Sequence, residues 1–90
     1  MLVVEDKASL RSMLRKTLEA QGYSAETAED EYEARRLLGR ERFQVVLTDL
    51  KLPAGSGFDV LESAIEADSD VSVVVMTAFG TVDDLSLIHI

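Results

Sequence analysis

Residues 43–57 read FQVVLTDLKLPAGSG and deliver an aspartate, Asp49, at the end of an apolar run. The run Phe43–Thr48 predicts a buried strand. The loop Leu50–Gly57 contains the only proline of the chain and two of its five glycines, so the chain is predicted to turn there. Asp49 is therefore expected at the carboxyl end of a strand, directly before a loop.

Three other stretches predict strands. Leu2–Val4 is a short apolar run that ends in the acidic pair Glu5–Asp6. Tyr23–Thr27 is more polar and suits the edge of a sheet. Val71–Met76 is the most β-branched run of the chain and ends at Thr77.

Helical patterns lie between these strands, and Gly22 and Gly39 are predicted to end the first two helices. Strands that alternate with helices imply right-handed crossovers, so we expect an α/β fold with a parallel sheet covered by helices on both faces. The first helix has Leu10, Met13, Leu14 and Leu18 on one face, and the third has Phe58, Leu61 and Ile65 on one side. In the second helix, the apolar residues that can face a core are Tyr32, Ala34, Leu37 and Leu38.

The charge balance and the absence of cysteine exclude several classes of function. The 90 residues hold 9 basic and 17 acidic side chains, a formal net charge of −8, and no basic residue follows Lys51. This balance argues against direct binding of nucleic acid. The absence of cysteine excludes thiolate metal sites. Because the start of the sequence lacks the basic residues of a signal peptide and no segment is apolar enough to span a membrane, we expect a soluble, cytoplasmic protein.

Polar side chains follow three of the apolar runs. Because the carboxyl ends of parallel strands meet at one edge, we expect Glu5, Asp6, Asp49 and Thr77 to lie together there. Each group alone is more often an ordinary solvated loop residue. Together the carboxylates form an acidic pocket that suits Mg²⁺, or alternatively Mn²⁺, because these ions prefer oxygen ligands.

These stretches resemble the successive motifs of a response-regulator receiver domain. The matching segments are LVVED at residues 2–6, VVLTDLKLP at 45–53 with Gly57, and VVVMTA at 73–78. The resemblance covers residues 1–84. It implies a flavodoxin-like, doubly wound parallel sheet with strand order 2-1-3-4. It also implies a phosphorelay module that takes a phosphoryl group from a sensor histidine kinase.

The resemblance also implies residue roles. Asp49 matches the phosphoacceptor of the family. Glu5 and Asp6 match the acidic pair that holds Mg²⁺ together with Asp49, and Lys51 matches the position whose backbone carbonyl completes the metal shell. A receiver of this kind is not an enzyme in the ordinary sense, because it catalyses only its own phosphorylation and dephosphorylation.

Other matching positions shape the response to phosphorylation. Thr77, followed by Ala78, matches the switch hydroxyl that reaches the phosphoryl oxygens, while Pro53 and Gly57 match residues that shape the loop. The stretches TDLKLP and MTAFGT are similar to receivers of the nitrogen-regulatory type. In that type the receiver precedes an ATPase domain and a DNA-binding domain, which implies an output in transcription.

The chain also departs from the family pattern. The lysine that follows the fifth strand of a receiver has no counterpart, and the fifth strand and the last helices are expected to be missing. We therefore expect an incomplete receiver over residues 1–84 and a tail, 85–90, that is foreign to it. Without a fifth strand, Val71–Met76 is expected to be an exposed edge that promotes association between copies of the chain.

Two other functions fit parts of the pattern. A phosphatase of the haloacid-dehalogenase type also uses an aspartate at a strand end, but it requires a second aspartate two residues later, where this chain has Lys51. An interaction module of the same fold that is never phosphorylated would explain the missing lysine. The intact acidic residues favour the phosphoacceptor.

Overall fold

The computed structural model describes residues 1–53, 55–78 and 85–89 of the chain. Within these residues, strands and helices alternate as the sequence predicts up to the fourth strand. The elements are β1 (Leu2–Val4), α1 (Ala8–Ala20), β2 (Glu26–Ala28), α2 (Glu31–Arg40), β3 (Val45–Asp49), α3 (Gly57–Ala67), β4 (Ser72–Ala78) and β5 (Leu85–His89).

One sheet joins all the described strands in the order β2-β1-β3-β4-β5. The first four strands are parallel, which confirms the predicted order 2-1-3-4. Val4 of β1 lies between Ala28 of β2 and Thr48 of β3. The carboxyl ends of β1 and β3 are therefore neighbours.

The main core lies between the sheet and the helices α2 and α3, which pack against each other. Alternate residues of the central strands face these helices because successive side chains of a strand point to opposite faces. The buried apolar side chains of this cluster are Leu2, Val4, Ala28, Ala34, Leu37, Leu38, Phe43, Val46, Val60, Ala64, Val73 and Val75.

Helix α1 covers the other face and contacts β1 and β2. The crossover from β1 to β2 runs in the opposite direction along the sheet from those that lead to β3 and β4. Because such crossovers are right-handed, α1 lies on the opposite face from α2 and α3. None of the α1 side chains is buried; Leu10, Leu14 and Leu18 are half-buried and Met13 is 54% exposed. Met13 is exposed although it shares the apolar face of α1, because no neighbouring element in the described chain covers that part of the helix.

Two positions of α2 differ from the prediction. Tyr32 is 75% exposed, since only Ala34, Leu37 and Leu38 of this helix face the sheet. Gly39 does not end the helix, which continues to Arg40. A glycine inside a helix costs about 1 kcal/mol, and burial of the two leucines beside it outweighs that cost.

Gly22, by contrast, ends α1 as predicted. Its φ of +94° is the left-handed conformation that glycine adopts without strain. The amide of Gly22 donates to the carbonyl of Glu19, and the amide of Tyr23 donates to that of Leu18, both at 3.1 Å. The following strand is shorter than predicted and begins at Glu26.

The expectation of an exposed β4 edge is wrong. Strand β5 pairs antiparallel with β4, from Val74 opposite His89 to Ala78 opposite Leu85. The pattern of residues 85–89, LSLIH, suits a short strand, and sequence reasoning did not assign one there. That residues 85–90 are foreign to the domain stays a prediction.

Candidate functional site

Three carboxylates meet where β1 and β3 end side by side. Glu5 and Asp6 directly follow β1, and Asp49 is the last residue of β3. One carboxylate oxygen from each of the three residues lies within 4.8 Å of those of the other two. The acidic pocket predicted from the sequence is therefore present.

A cavity of about 240 Å³ opens beside these carboxylates. Asp6, Lys7, Asp49, Leu50 and Lys51 line it. This space lies at the carboxyl ends of parallel strands, where open α/β sheets bind their ligands.

Glu5 is the buried member of the cluster, with 1% of its surface exposed. Its Oε1 accepts a hydrogen bond from the Lys7 amide at 3.3 Å, whereas no donor in the described part of the chain reaches its buried Oε2. Burial is the main cause that raises the pKa of Glu5 from 4.5 to about 7, and the nearby Asp49 carboxylate adds to the shift. The Lys7 amide acts in the opposite direction, and repulsion from Asp6 adds a smaller increase.

Arg11 supports the acidic pair from α1, a role that sequence reasoning missed. Its Nη1 donates to the carbonyl oxygens of Glu5 at 3.0 Å and Asp6 at 3.3 Å. The spacing of five and six residues places the guanidinium of a first-turn residue back over the preceding loop. That spacing was the signal available in the sequence.

The backbone around Asp49 is also fixed. The buried Thr48 hydroxyl donates to the carbonyl of Asp49 at 3.0 Å. The Lys51 amide donates to Asp49 Oδ1 at 3.2 Å, which restricts the orientation of the carboxylate. Sequence reasoning did not identify Thr48.

The loop after Asp49 is held at both ends. The Leu50 amide donates to the carbonyl of Met76 at 2.9 Å, and the Gly57 amide donates to the carbonyl of Leu50 at 2.8 Å. A Cβ on Gly57 would lie 2.5 Å from the carbonyl oxygen of Asp49. Glycine is required at the start of α3 because the helix approaches the backbone of Asp49 so closely.

The remaining predicted positions lie around the same edge. Thr77 and Ala78 are the last residues of β4, directly after Met76, which is the register partner of Asp49. Pro53 is exposed in the loop between β3 and α3. The backbone thus brings both switch positions to the end of the sheet that carries the carboxylates.

The donor set suits a hard divalent cation. Three carboxylates at this separation repel one another, and Glu5 Oε2 is a buried polar atom to which no described group donates. A bound cation would satisfy that oxygen and offset the repulsion. Oxygen ligands alone favour Mg²⁺, so the residues present fit the metal.

The comparison with known protein families agrees with the motifs and with the geometry of the site. The family model for the response regulator receiver domain matches residues 1–87. The chain belongs to this family. A receiver domain is a signalling module of two-component systems rather than a conventional enzyme.

Receiver-containing proteins from several organisms are similar to this receiver domain. The response regulator protein PilR of Pseudomonas aeruginosa is 37% identical over 82 residues, which are 91% of this chain and 18% of PilR. A probable transcriptional regulator, ycf27 of Guillardia theta, is 40% identical over 83 residues, which are 92% of this chain and 32% of that protein. The receiver domain thus spans a third or less of these two relatives.

Solved receiver structures share the fold. A receiver domain protein from Clostridium thermocellum superposes with a TM-score of 0.82 at 28% identity, over 91% of this chain and 67% of that one. The response regulator TrrA from Thermotoga maritima, in complex with Mg²⁺ and BeF, gives a TM-score of 0.81 at 29% identity, over 88% and 69% of the two chains. Among the described residues of the present chain, no helix has the length and apolar character needed to cross a membrane.

Proposed function

We propose that this receiver domain accepts a phosphoryl group on Asp49 from a sensor histidine kinase. Glu5, Asp6 and Asp49 would hold Mg²⁺ together with the backbone carbonyl of Lys51. The observation that carries the proposal is the meeting of three carboxylates within 4.8 Å at the carboxyl edge of the sheet. The Mg²⁺ in the similar TrrA structure supports the choice of metal.

The chemistry is a phosphoryl transfer in which Asp49 is the nucleophile. A carboxylate oxygen of Asp49 attacks the phosphorus, and a new O–P bond forms while the P–N bond to the donor histidine breaks. The electron pair of that bond leaves with the imidazole nitrogen. When bound, Mg²⁺ supplies the positive charge that offsets repulsion between the carboxylate and the phosphoryl oxygens.

Lys51 and Thr48 hold the Asp49 carboxylate in position for this attack. The Lys51 amide holds one oxygen of Asp49 at 3.2 Å, and the Thr48 hydroxyl fixes the peptide that carries it. A prepared orientation lowers the barrier because the attacking oxygen need not search for its position. Asp49 is thus held in a fixed orientation among the residues that line the cavity.

The signal is proposed to leave the site through β4. Thr77 and Ala78 end the strand beside Asp49, and the Thr77 hydroxyl is proposed to move toward the phosphoryl oxygens. Such a movement shifts a pre-existing equilibrium between two surfaces. The similarity to ycf27, a probable transcriptional regulator, supports an output in transcription. From the resemblance to receivers of the nitrogen-regulatory type, we propose that this output passes through an ATPase domain and a DNA-binding domain in the cytoplasm.

The test is phosphorylation by a small acyl phosphate donor, with the intact mass as the readout. We expect the parent chain to gain one phosphoryl group in the presence of Mg²⁺ and none after chelation. Asp49→Asn is expected to gain none, because an amide oxygen is a poor nucleophile. Asp70→Asn is the matched control, since Asp70 is an exposed aspartate outside the site.

Two results would contradict the proposal. One is a stable phosphoryl group on the Asp49→Asn chain, which would place the acceptor elsewhere. The other is a parent chain that binds Mg²⁺ but gains no phosphoryl group. Lability of the product to hydroxylamine identifies it as an acyl phosphate rather than a phosphoester.

A further inference from the structure

The backbone of the acidic pair is anchored to α1 through one side chain. Arg11 Nη1 donates to the carbonyl of Glu5 at 3.0 Å and to that of Asp6 at 3.3 Å. Arg11 is half-buried, and the ion pairs found among the described residues do not include it. The hydrogen bonds found for the Arg11 side chain are those to the two carbonyls. Because the guanidinium is charged, these bonds are stronger than bonds from a neutral donor.

Other contacts fix Glu5, but Asp6 depends on Arg11. The Glu5 amide donates to the carbonyl of Ala28 at 3.0 Å, and the Glu5 side chain accepts from the Lys7 amide. Asp6 is exposed, and the hydrogen bond from Arg11 is the contact found for it in the described chain. Without that bond, the carbonyl of Asp6 loses its donor, and the peptide after Asp6 is held only through the Lys7 amide, which donates to Glu5 Oε1 at 3.3 Å. The Asp6 carboxylate is then held less firmly beside Asp49.

We propose that Arg11 is a positioning residue of the metal site. It holds the backbone of Glu5 and Asp6 so that both carboxylates stay directed at Asp49. The inference rests on the proposed function in taking Mg²⁺ as the occupant. It goes beyond that function in assigning a residue that the family resemblance did not.

The direction in which Mg²⁺ affinity changes on removal of Arg11 distinguishes a positioning role from an effect of its charge alone. If Arg11 acted on the site only through its positive charge, its removal would tighten Mg²⁺ binding, since one repulsive charge would be lost. If Arg11 positions the ligands, its removal weakens binding because the carboxylates are no longer held together. Loss of a supporting hydrogen bond behind a metal ligand costs about 10- to 100-fold in affinity.

The experiment is calorimetric titration of Mg²⁺ into the parent chain and three variants. Arg11→Met is expected to weaken binding about tenfold, and Arg11→Lys, which retains charged N–H donors, is expected to recover part of the loss. Arg15→Met is the matched control, because Arg15 lies one turn further along α1, pairs with Glu19 at 3.6 Å and is 56% exposed. We expect its affinity to stay within about twofold of the parent, since exposed charges interact weakly.

A second readout needs no metal. In chelator, hydrogen exchange of the Lys7 amide, which donates to Glu5 Oε1, is expected to accelerate in Arg11→Met and not in Arg15→Met. The free energy of unfolding, measured in the same buffer, reports any general loss of structure. Should Arg11→Met fail to fold, Arg11→Gln takes its place, and its shorter neutral amide is also expected to weaken binding.

The outcomes distinguish the two proposals. If the parent binds Mg²⁺ while Arg11→Met, or Arg11→Gln in its place, binds as tightly or more tightly, the positioning role is overturned and the proposed function stands. If the parent neither binds Mg²⁺ nor gains a phosphoryl group, both are overturned. Weaker binding by the Arg11 variant with an unchanged Arg15→Met supports the inference.

Discussion

Glu5 is the residue whose environment departs most from that of an ordinary carboxyl group. It is 1% exposed, one of its oxygens has no donor among the described groups, and its pKa is raised to about 7. A buried carboxylate costs free energy unless a cation or donors compensate it. Below about pH 7 the residue therefore favours the protonated form in chelator, and a bound cation would favour the charged form.

We expect the metal-free protein to lose stability as the pH rises from 4.5 to 7. In that range the folded chain keeps a proton on Glu5 that the unfolded chain releases, so rising pH favours unfolding. The shift of the pKa from 4.5 to about 7 sets an upper bound of about 3–4 kcal/mol on this loss. Unfolding with denaturant in chelator at several pH values measures it.

Glu5→Gln removes the titrating group and is expected to flatten this part of the pH profile. Glu62→Gln, at an exposed position of α3, is the control and keeps the slope of the parent. A Glu5→Gln profile parallel to that of the parent would show that other groups cause the dependence. Saturating Mg²⁺ is also expected to remove the slope, because it holds Glu5 in its charged form.

At the scale of elements, the start of α3 and the end of β3 act as one unit. The Ser56 amide donates to Asp59 Oδ2 at 2.9 Å, which caps the helix, and the Gly57 amide holds the Leu50 carbonyl. The helix therefore approaches so closely that a Cβ at Gly57 would meet the Asp49 carbonyl oxygen at 2.5 Å. Real Cβ atoms do not approach other atoms to this distance, so a larger residue must displace the backbone of Asp49.

We expect Gly57→Ala to destabilise the protein by about 1–3 kcal/mol, as overpacking of a tight contact does. Mg²⁺ affinity is expected to fall with it, because Asp49 is displaced. Gly39→Ala is the opposite case: apart from the neighbouring residues and backbone of α2 itself, no atom of the described chain lies within 4 Å of the added Cβ. This substitution is expected to stabilise α2 by about 0.5–1 kcal/mol. Unfolding with denaturant measures the change in the free energy of unfolding for each variant. Equal changes for Gly57→Ala and Gly39→Ala would contradict the packing argument.

The same elements show what the sequence could and could not predict. The strand ends and the meeting of Glu5, Asp6 and Asp49 were predictable, because apolar runs mark parallel strands whose ends align. The exposure of Met13 and Tyr32 was not, since periodicity identifies the apolar side of a helix but not whether another element covers it. Strand β5 was missed because five residues carry little periodicity.

The supports of the site were harder to predict than its ligands. Arg11 and Thr48 act through backbone carbonyls, and a hydrogen bond to a carbonyl leaves no mark on the residue type of its acceptor. The raised pKa of Glu5 also depends on the packing around it, not on its position in the sequence. Such features require coordinates.

On the scale of the whole molecule, the two faces of the sheet differ in packing. The buried cluster lies on the side of α2 and α3, whereas α1 contributes no buried side chain. Regions with few buried contacts open locally at low free energy, and well-packed regions open only with global unfolding. We therefore expect α1 to be the least protected of the described helices.

Mg²⁺ is expected to slow hydrogen exchange that requires global unfolding and to leave exchange through local opening of α1 unchanged. A ligand at 100 times its dissociation constant adds about 2.7 kcal/mol to global unfolding, which slows exchange through that route about 100-fold. Amides of β1, β3, α2 and α3 are expected to slow by this factor. Those near the carboxyl end of α1, around Leu18, are expected to keep their rate, because they open locally and far from the site. Native-state hydrogen exchange with and without Mg²⁺ measures both, and uniform slowing along the chain would show that α1 opens only with the whole molecule.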